Sequence, residues 1–599
     1  MRRPRTLQEF FHWAELGGGA RWIRLAAVVA GVFALSLVVA WKQFRGPVSE
    51  ITLLQADSGR QLATGQGFTT LVNYPQTAAT LARRGVRFDL LRPYPELHHA
   101  PLYSLVIGGA LRLLPEGKRA RLFSSPPVPP DGFAADYFLL GLNLVLLWLA
   151  AWQTYRLGRK LFDPQVGWLA ALALLLSVAI WRETVALNGV PLLMVLALGA
   201  FQLWTEIECR ADSAAGAAAA AGRLLALGAL GGLLFLAEYS AGALTLVALG
   251  YAFLRFRGRP RIVAVLSVAL GFAVVSGPWV ARNVALTGNP VALAVQDIAL
   301  KAGDPTAEPA TVRAAYSAVP PELDLRKLAN KTLTSLQENG RVKFWSAGAT
   351  WLAAFFVAGW LYGFRSSLAN RLRWIFTLGL AVLLVAQAAL NSGETERPVL
   401  VWLAPLVLIF GAAFFYVLVG SNVTLARWPG VAAAGLLALQ ALPLMRDAVE
   451  PRRVHFHYPP YFPALFQGVR QDLERRGANG RYGLMTDVPA GFAWYAQARV
   501  WAQPGRLRDF HAIAVEQPIG ELLLSPQVLD RPYFSELGAR LVARAGADAV
   551  PSRFGEWGEV YAGLLGGRMP ADFPLGPPLR LADNVFVLQN PALPALRGK

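Results

Sequence analysis

The sequence predicts a polytopic α-helical membrane protein of about eleven transmembrane helices, with a C-terminal extracytoplasmic α/β domain. Three observations carry this reading. The 599 residues are 55% hydrophobic and only 16% charged, with a mean hydropathy of +0.39. A soluble protein carries roughly a quarter charged residues. The basic residues, 57 against 38 acidic ones, cluster in short segments between apolar runs. After Met445 the long apolar runs stop, and short strand-like runs begin. A formal charge of +19 could suggest a polyanion as partner, but the positive-inside rule accounts for cations placed in this way. No nucleic-acid partner is expected.

A bilayer core of about 30 Å needs about 17–25 apolar residues per helix. Runs of that kind fall at 25–41, 137–155, 166–181, 184–205, 262–281, 344–364, 374–392, 398–426 and 428–445. The first is longer than a signal-peptide core and lacks a small-residue cleavage site after it, so it reads as an uncleaved anchor. The run 224–254 is too long for one upright helix, and Glu238 interrupts it. Arg223 precedes it and Arg255, Arg257, Arg259 and Arg261 follow it. Cations at both ends make it a hairpin, with Glu238 and Tyr239 at the outer tip.

Arg2, Arg3 and Arg5, then Arg156, Arg159 and Lys160, then Arg210, and later Arg365, Arg371 and Arg373 all fall on the same side. That side is the cytoplasm by the cation rule. Segments 42–136, 283–343 and everything after Met445 then lie outside. The alanine tract 214–221 is an inner linker or helix extension. The run 101–114 is apolar but short, contains Arg112 and ends at Pro115, as an interfacial or re-entrant segment would. The division expected is a membrane domain at 1–445, with an outer catalytic loop at 42–136, and a soluble domain at 446–599. Within the latter, 481–485, 521–524 and 585–588 read as strands, and 489–497 and 532–545 as helices.

Chemistry concentrates just beyond the first span. Asp57-Ser58-Gly59-Arg60 is followed by Gly65-Gln66-Gly67-Phe68 and by His98-His99-Ala100-Pro101-Leu102-Tyr103. A carboxylate and two imidazoles at a water–lipid boundary suit acid–base work on a lipid-linked substrate. No G-x-x-x-x-G-K-[ST] occurs, and Gly65-Gln66-Gly67 does not open a nucleotide fingerprint, so cytosolic nucleotide chemistry has no support. The single Cys209 cannot form an internal disulfide.

The order of these motifs resembles the GT-C membrane glycosyltransferases that use polyprenyl-phosphate sugars, among them protein O-mannosyltransferases and lipid A aminoarabinose transferases. Asp57, Leu62, Ala63, Gly65, Gly67 and Phe68 look like a compressed D-x-x-x-Y-x-x-x-A-x-x-L-x-x-G-x-G-F run. His99-Ala100-Pro101-Leu102 resembles its H-P-P-L or K-P-P-L element. Gly277-Pro278-Trp279-Val280-Ala281-Arg282-Asn283 with Gly288-Asn289-Pro290 is similar to P-W-x-x-R-N-x-x-x-x-G-x-P, and Glu396-Arg397-Pro398 before Leu403-Ala404-Pro405 to R-Y-x-x-x-x-x-P. Two positions depart: the loop has one acid where many members have a pair, and Ala100 replaces a proline.

The resemblance implies a GT-C-like fold in a bacterial inner membrane, with the N-terminus cytoplasmic and the last domain extracytoplasmic. It implies an inverting transfer of a hexosyl or pentosyl group from a polyprenyl-phosphate donor to a lipid, glycan or protein acceptor. A lipid phosphate leaves readily, so one base and cations for the phosphate suffice. Asp57 is expected as that base, or else as a helix N-cap. Arg397, and less directly Arg282 and Arg60, would bind the donor phosphate, for which a guanidinium fork is suited. A snorkelling arginine is the alternative for Arg397. His98 and His99 would touch the acceptor or simply shape the loop. No cofactor is certain, and a divalent metal stays open, since a His-His pair alone is a weak ligand signal. A polysaccharide polymerase or ligase using a lipid diphosphate, an inactive scaffold and a transporter remain alternatives.

Overall fold

The computed structural model describes residues 18–599, apart from 48, 87–91, 125–132, 212–215, 304–311, 318–320, 344–349, 392–396, 451–462, 477–481, 530–554, 570–572, 583 and 594–599. The arginines at 2, 3 and 5 and the helix expected at 532–545 lie outside the described residues. So do Glu394 and Glu396.

Among the described residues, eight helices are long and apolar enough to cross a membrane: Leu25–Gln43, Ala134–Leu161, Val190–Arg210, Ala220–Ala237, Arg259–Thr287, Ser367–Leu390, Ala404–Ser421 and Pro429–Val449. The pair Pro164–Leu175 and Val178–Val185, bent by 54° at its break, would make a ninth. Leu25–Gln43 and Arg259–Thr287 leave most of their apolar side chains outside the protein, as lipid-facing helices do. The chain is a multi-pass membrane protein.

The count expected from sequence was about eleven. Two of those runs carry only short helices among the described residues. The 224–254 run does fold back on itself, with a 3-10 turn at Tyr239–Ala243 after Glu238. Its second arm, Leu244–Arg255, has only 12 residues. In the run expected at 344–364, the described helix is Thr350–Ala358. The helix following the hairpin packs so closely that a methyl group on Gly228 or Gly271 would collide with the carbonyl of Val268 or Leu225 respectively. Small residues at such a crossing let two backbones touch inside a bilayer.

The segment after the first span carries helix Glu50–Ala63, whose N-terminus is capped by Ser49. It is buried along almost its whole length. Helix Leu102–Arg112 lies directly against it: a methyl group on Gly59 would sit 2.8 Å from Ile107 Cγ2, and one on Gly108 2.8 Å from the Gly59 carbonyl. The short apolar run at 101–114 therefore covers this buried helix.

Two sheets complete the fold. β1 (Thr69–Thr70) pairs antiparallel with β3 (Tyr94–Pro95). The second comprises β2 (Val72–Asn73), β4 (Gly483–Thr486), β5 (Val500–Ala502), β6 (Ile519–Leu524), β7 (Leu579–Ala582) and β8 (Val585–Gln589), in the order β2-β5-β4-β6-β8-β7. The first four strands in that order are parallel, and β8 and β7 are antiparallel additions. β2 comes from the segment after the first span, Val72 registering with Val500 and Asn73 with Trp501. The first loop and the C-terminal residues thus share one sheet and one face of the molecule. Asp136, in the first turn of Ala134–Leu161, fastens that assembly to the helices: Trp494 Nε1 donates to Oδ1 at 2.8 Å and Tyr495 Oη to Oδ2 at 3.0 Å.

Candidate functional site

Where the helix ends on the sheet side meet the first loop, they enclose a cavity of about 820 Å³, open mouth included. Gln55 and Ile51 reach it from helix Glu50–Ala63, His98 and His99 from the loop before Leu102–Arg112, and Glu238 and Tyr239 from the hairpin tip. Asp297 of helix Ala294–Gly303 and Arg397, before Val399–Trp402, complete the polar wall. Five separated parts of the sequence thus bring their scarce polar groups to one place.

Arg397 is the centre of the wall. Its guanidinium, 3% exposed, donates from Nη2 to Gln55 Oε1 at 2.6 Å and from Nη1 to the Ala237 carbonyl at 3.2 Å. Nη1 also faces Glu238 Oε2 at 3.2 Å, while Nε is buried with no partner. A snorkelling arginine would hold its head in water, so that alternative is ruled out. Gln387 fixes the backbone here, donating to the Arg397 carbonyl at 2.8 Å and accepting from the Val399 amide at 3.1 Å.

The histidines part company. His98 Nδ1 faces Asp297 Oδ2 at 3.6 Å, and its Nε2 lies 3.3 Å from Thr77 Oγ1. Asp297 is also clamped by Arg313 at 2.9 Å. Burial, followed by the Arg313 charge, lowers the His98 pKa, which favours a neutral ring. His99 instead donates from Nδ1 to Glu96 Oε1 at 3.0 Å.

Three expected site residues stand elsewhere. Asp57 does not reach the cavity: it lies two residues, about 200° of helical turn, from Gln55. It is fully buried, and both oxygens are taken. Oδ1 accepts from Arg60 Nη2 at 2.6 Å, and Oδ2 from Thr70 Oγ1 at 3.0 Å and the Leu71 amide at 2.8 Å. The N-cap is Ser49, which corrects that reading of Asp57. In this structure Asp57 is engaged as a clamp in mid-helix and does not line the cavity. Arg60 is engaged with it. Its guanidinium donates to Asp57 and to the Ala493 carbonyl at 2.7 Å and lies over the Phe123 ring at 5.4 Å, so it joins the loop helix to the outer sheet layer. Arg282 straps the loop, donating to the carbonyls of Phe68 at 3.2 Å and Glu96 at 3.1 Å, with its plane over Trp279.

Glu238 was legible as a carboxylate breaking an apolar run, but its placement at a solvated tip hid its pairing with Arg397. Gln55, Glu96 and Asp297 carried no sequence signal. Among the described residues, no group of three or more His, Cys, Asp or Glu side chains is arranged to hold a metal ion.

Neither a family model nor a curated protein sequence matches this chain. Solved structures do. An oligosaccharyltransferase of Archaeoglobus fulgidus, crystallised with zinc and sulfate, superposes with a TM-score of 0.50 at 12% identity, over 85% of this chain and 69% of that one. ArnT of Cupriavidus metallidurans, bound to undecaprenyl phosphate, gives a TM-score of 0.49 at 12% identity, over 97% and 100% of the two chains. The chain shares the fold of that oligosaccharyltransferase. At this identity the likeness is one of architecture, and the side chains around Arg397 must speak for themselves.

Proposed function

We propose that this protein transfers a sugar from a polyprenyl-phosphate donor to a hydroxyl group outside the cytoplasm, with inversion at the anomeric carbon. The observation that carries this reading is the cavity itself, a chamber at the ends of apolar helices whose polar wall centres on a buried arginine. A lipid whose chain runs along those helices presents its phosphate at that depth. A guanidinium there offers parallel donors to phosphate oxygens and opposes the charge that grows as the glycosidic bond breaks. The phosphate leaves with its bonding pair, so no second carboxylic acid is needed to protonate it. One group is required to take the acceptor's proton.

The cavity and the outer sheet share a face, and we read that face as extracytoplasmic and the membrane as the bacterial inner membrane. The opposite ends of the helices support this, since they gather the cations: Glu208 is buried there against Arg371 at 2.8 Å and Arg255 at 3.3 Å. On this reading 1–445 is the membrane part, and 446–599 lies outside with the loop at 42–136. The acceptor, a lipid, glycan or protein, enters from the outer side.

The test uses full-length protein in lipid nanodiscs, incubated with a panel of polyprenyl-phosphate hexoses and pentoses and the matching diphosphates, with products read by mass spectrometry. Transfer from a monophosphate donor, with an inverted anomeric centre, is expected. Turnover of the diphosphates alone would point to a polymerase or ligase, and failure to bind or transfer any donor would overturn the reading.

A further inference from the structure

A second cavity, of about 1230 Å³ with its open mouth, lies on the outer layer and takes no part in the site above. It opens where β2, β5 and β4 run side by side, next to helix Pro463–Arg475. Its wall is more polar than apolar, the reverse of the cavity at Arg397. Asn73 reaches it from β2, Arg470 and Glu474 from the helix, Gln497 and Arg499 from the turn before β5, and Gln517 from the turn before β6.

Three of these residues carry the argument. Asn73 is 2% exposed, and its Oδ1 is buried with no hydrogen-bond partner. A buried acceptor left without a donor is costly to the fold and asks for a partner from outside the chain. Gln497 stands at φ 52° and ψ 34°, in the left-handed region, at the end of the turn Phe492–Ala496. Such a position ordinarily goes to glycine, so an exposed glutamine is kept there against the backbone's preference. Gln517 accepts from Trp501 Nε1 at 2.8 Å, which fixes its amide at the groove.

The chemistry of this wall selects the ligand. Carboxamides both donate and accept, as a sugar hydroxyl does, and a carboxylate beside them takes further hydroxyl donors. A phosphate is a poorer match. Arg470 already donates to Glu474 at 2.8 Å and to the Ala496 carbonyl, and Arg499 is engaged as well, so both cations are spoken for. A peptide added as a further strand is excluded. β2 is the edge of the sheet, but Val72 and Asn73 are buried, and the Val72 amide donates to Thr70 Oγ1 at 3.1 Å. We propose that this groove binds a saccharide and that the saccharide belongs to the acceptor, an assignment that rests on the transferase reading above. The fold connects the two places: Tyr74, next in the chain to Asn73, packs its ring edge-on against His98 at 5.2 Å, and His98 lines the Arg397 cavity.

The test uses full-length wild type, Asn73→Leu and Gln497→Gly in lipid nanodiscs. Binding of the methyl glycosides of glucose, galactose, mannose and N-acetylglucosamine, and of their disaccharides, is measured by saturation-transfer NMR with no donor present. Inorganic phosphate and a hexapeptide of Ser, Asn and Gly serve as competitors, and thermal unfolding is followed alongside. Wild type is expected to bind at least one of these sugars. Removing one hydrogen bond to the ligand should weaken that binding about three- to tenfold in each variant. Neither variant should lower Tm, because Asn73→Leu removes an acceptor that has no donor within the protein and Gln497→Gly relieves the left-handed backbone. With the donor that wild type uses, the KM of a glycan acceptor ending in the bound sugar should rise by a similar factor. Sugar binding that either variant retains in full, or that phosphate or the peptide displaces, overturns the proposal. So does a lower Tm in both variants, which would assign the two side chains to the fold. Weakened binding with an unchanged KM overturns the acceptor assignment. A wild type that binds sugar but transfers from no donor overturns the transferase reading and leaves the saccharide site standing, whereas an active wild type that binds none of the sugars overturns the site alone.

Discussion

Replacing Asp57 by asparagine should damage folding before it damages chemistry. The side chain is fully buried, and it accepts from Arg60, Gln61, Thr70 and Leu71. Asparagine keeps one acceptor oxygen and puts an amide donor where the other stood. That donor must face either the Arg60 guanidinium or the Thr70 and Leu71 donors, and in both cases Arg60 stays buried without a counter-charge. Burial already pulls the Arg60 guanidinium below its ordinary value, with the Asp57 charge opposing that pull. Breaking one side of a buried ion pair costs about 3–5 kcal/mol. For a folding unit of roughly 150–250 residues each kcal/mol moves Tm by about 2–4 °C, giving a fall of roughly 6–20 °C. Tryptophan fluorescence during heating of the nanodisc-bound protein measures it, with turnover assayed well below the variant's transition. Arg60→Met should cost a similar amount, and the double variant less than the sum, because neither charge is then left alone. A variant with the wild-type Tm and no turnover would refute this reasoning and make Asp57 the base.

Arg397→Ala should weaken donor-lipid binding at least tenfold, with Arg397→Lys intermediate because charge remains but the fork is lost; unchanged donor affinity in a folded Arg397→Ala protein would exclude the phosphate role. Asp136→Asn keeps one acceptor where Trp494 and Tyr495 need two. It should therefore loosen the outer layer by about 1–3 kcal/mol, read as faster proteolysis within 482–529. Glu521, buried on β6, has its carboxyl raised from 4.5 to about 8, first by burial and then by the Asp472 charge. The folded state thus holds a proton that the unfolded chain releases. That stabilisation is complete below about pH 4.5 and is lost as pH rises through about 8. Glu521→Gln should remove this slope in a denaturation series from pH 5 to 8.5, and an unaltered slope would count against it.

The membrane part was legible because its signals are periodic and long: apolar runs, cation bias, and Glu238 marking where the 224–254 run turns. What the apolar runs did not show was helix length: the second arm of that hairpin is a helix of only 12 residues. The strands at 483–486, 519–524 and 585–589 were visible as apolar runs. The two-residue strand at Val72–Asn73 was not, since pairing across more than 400 residues leaves no local pattern. At the site, Arg397 and the histidines announced themselves as ionisable groups beside apolar runs. Asp57 did so equally well, and nothing local shows whether such a group faces a cavity or an arginine. The helical period decides it, and that period could be applied only once Gln55 was known to face Arg397.

The shared sheet gives the outer layer a second role. Strand β2 leads through helix Pro75–Arg83 to the loop that carries Glu96 and His99. On the other side of the same layer, Arg60 holds the carbonyl of Ala493, and Asp136 holds Trp494 and Tyr495. The backbone that brings His98 and His99 to the cavity is therefore fixed from the C-terminal residues as well as from the helices. A loop anchored at one end only would sample many orientations, and a small misplacement of a reacting group is costly in rate. The sealed Asp57–Arg60 pair acts on the cavity through this frame, since it joins the helix bearing Gln55 to the layer that holds the histidine loop. That explains why the most conspicuous carboxylate in the sequence lies next to the site without lining it.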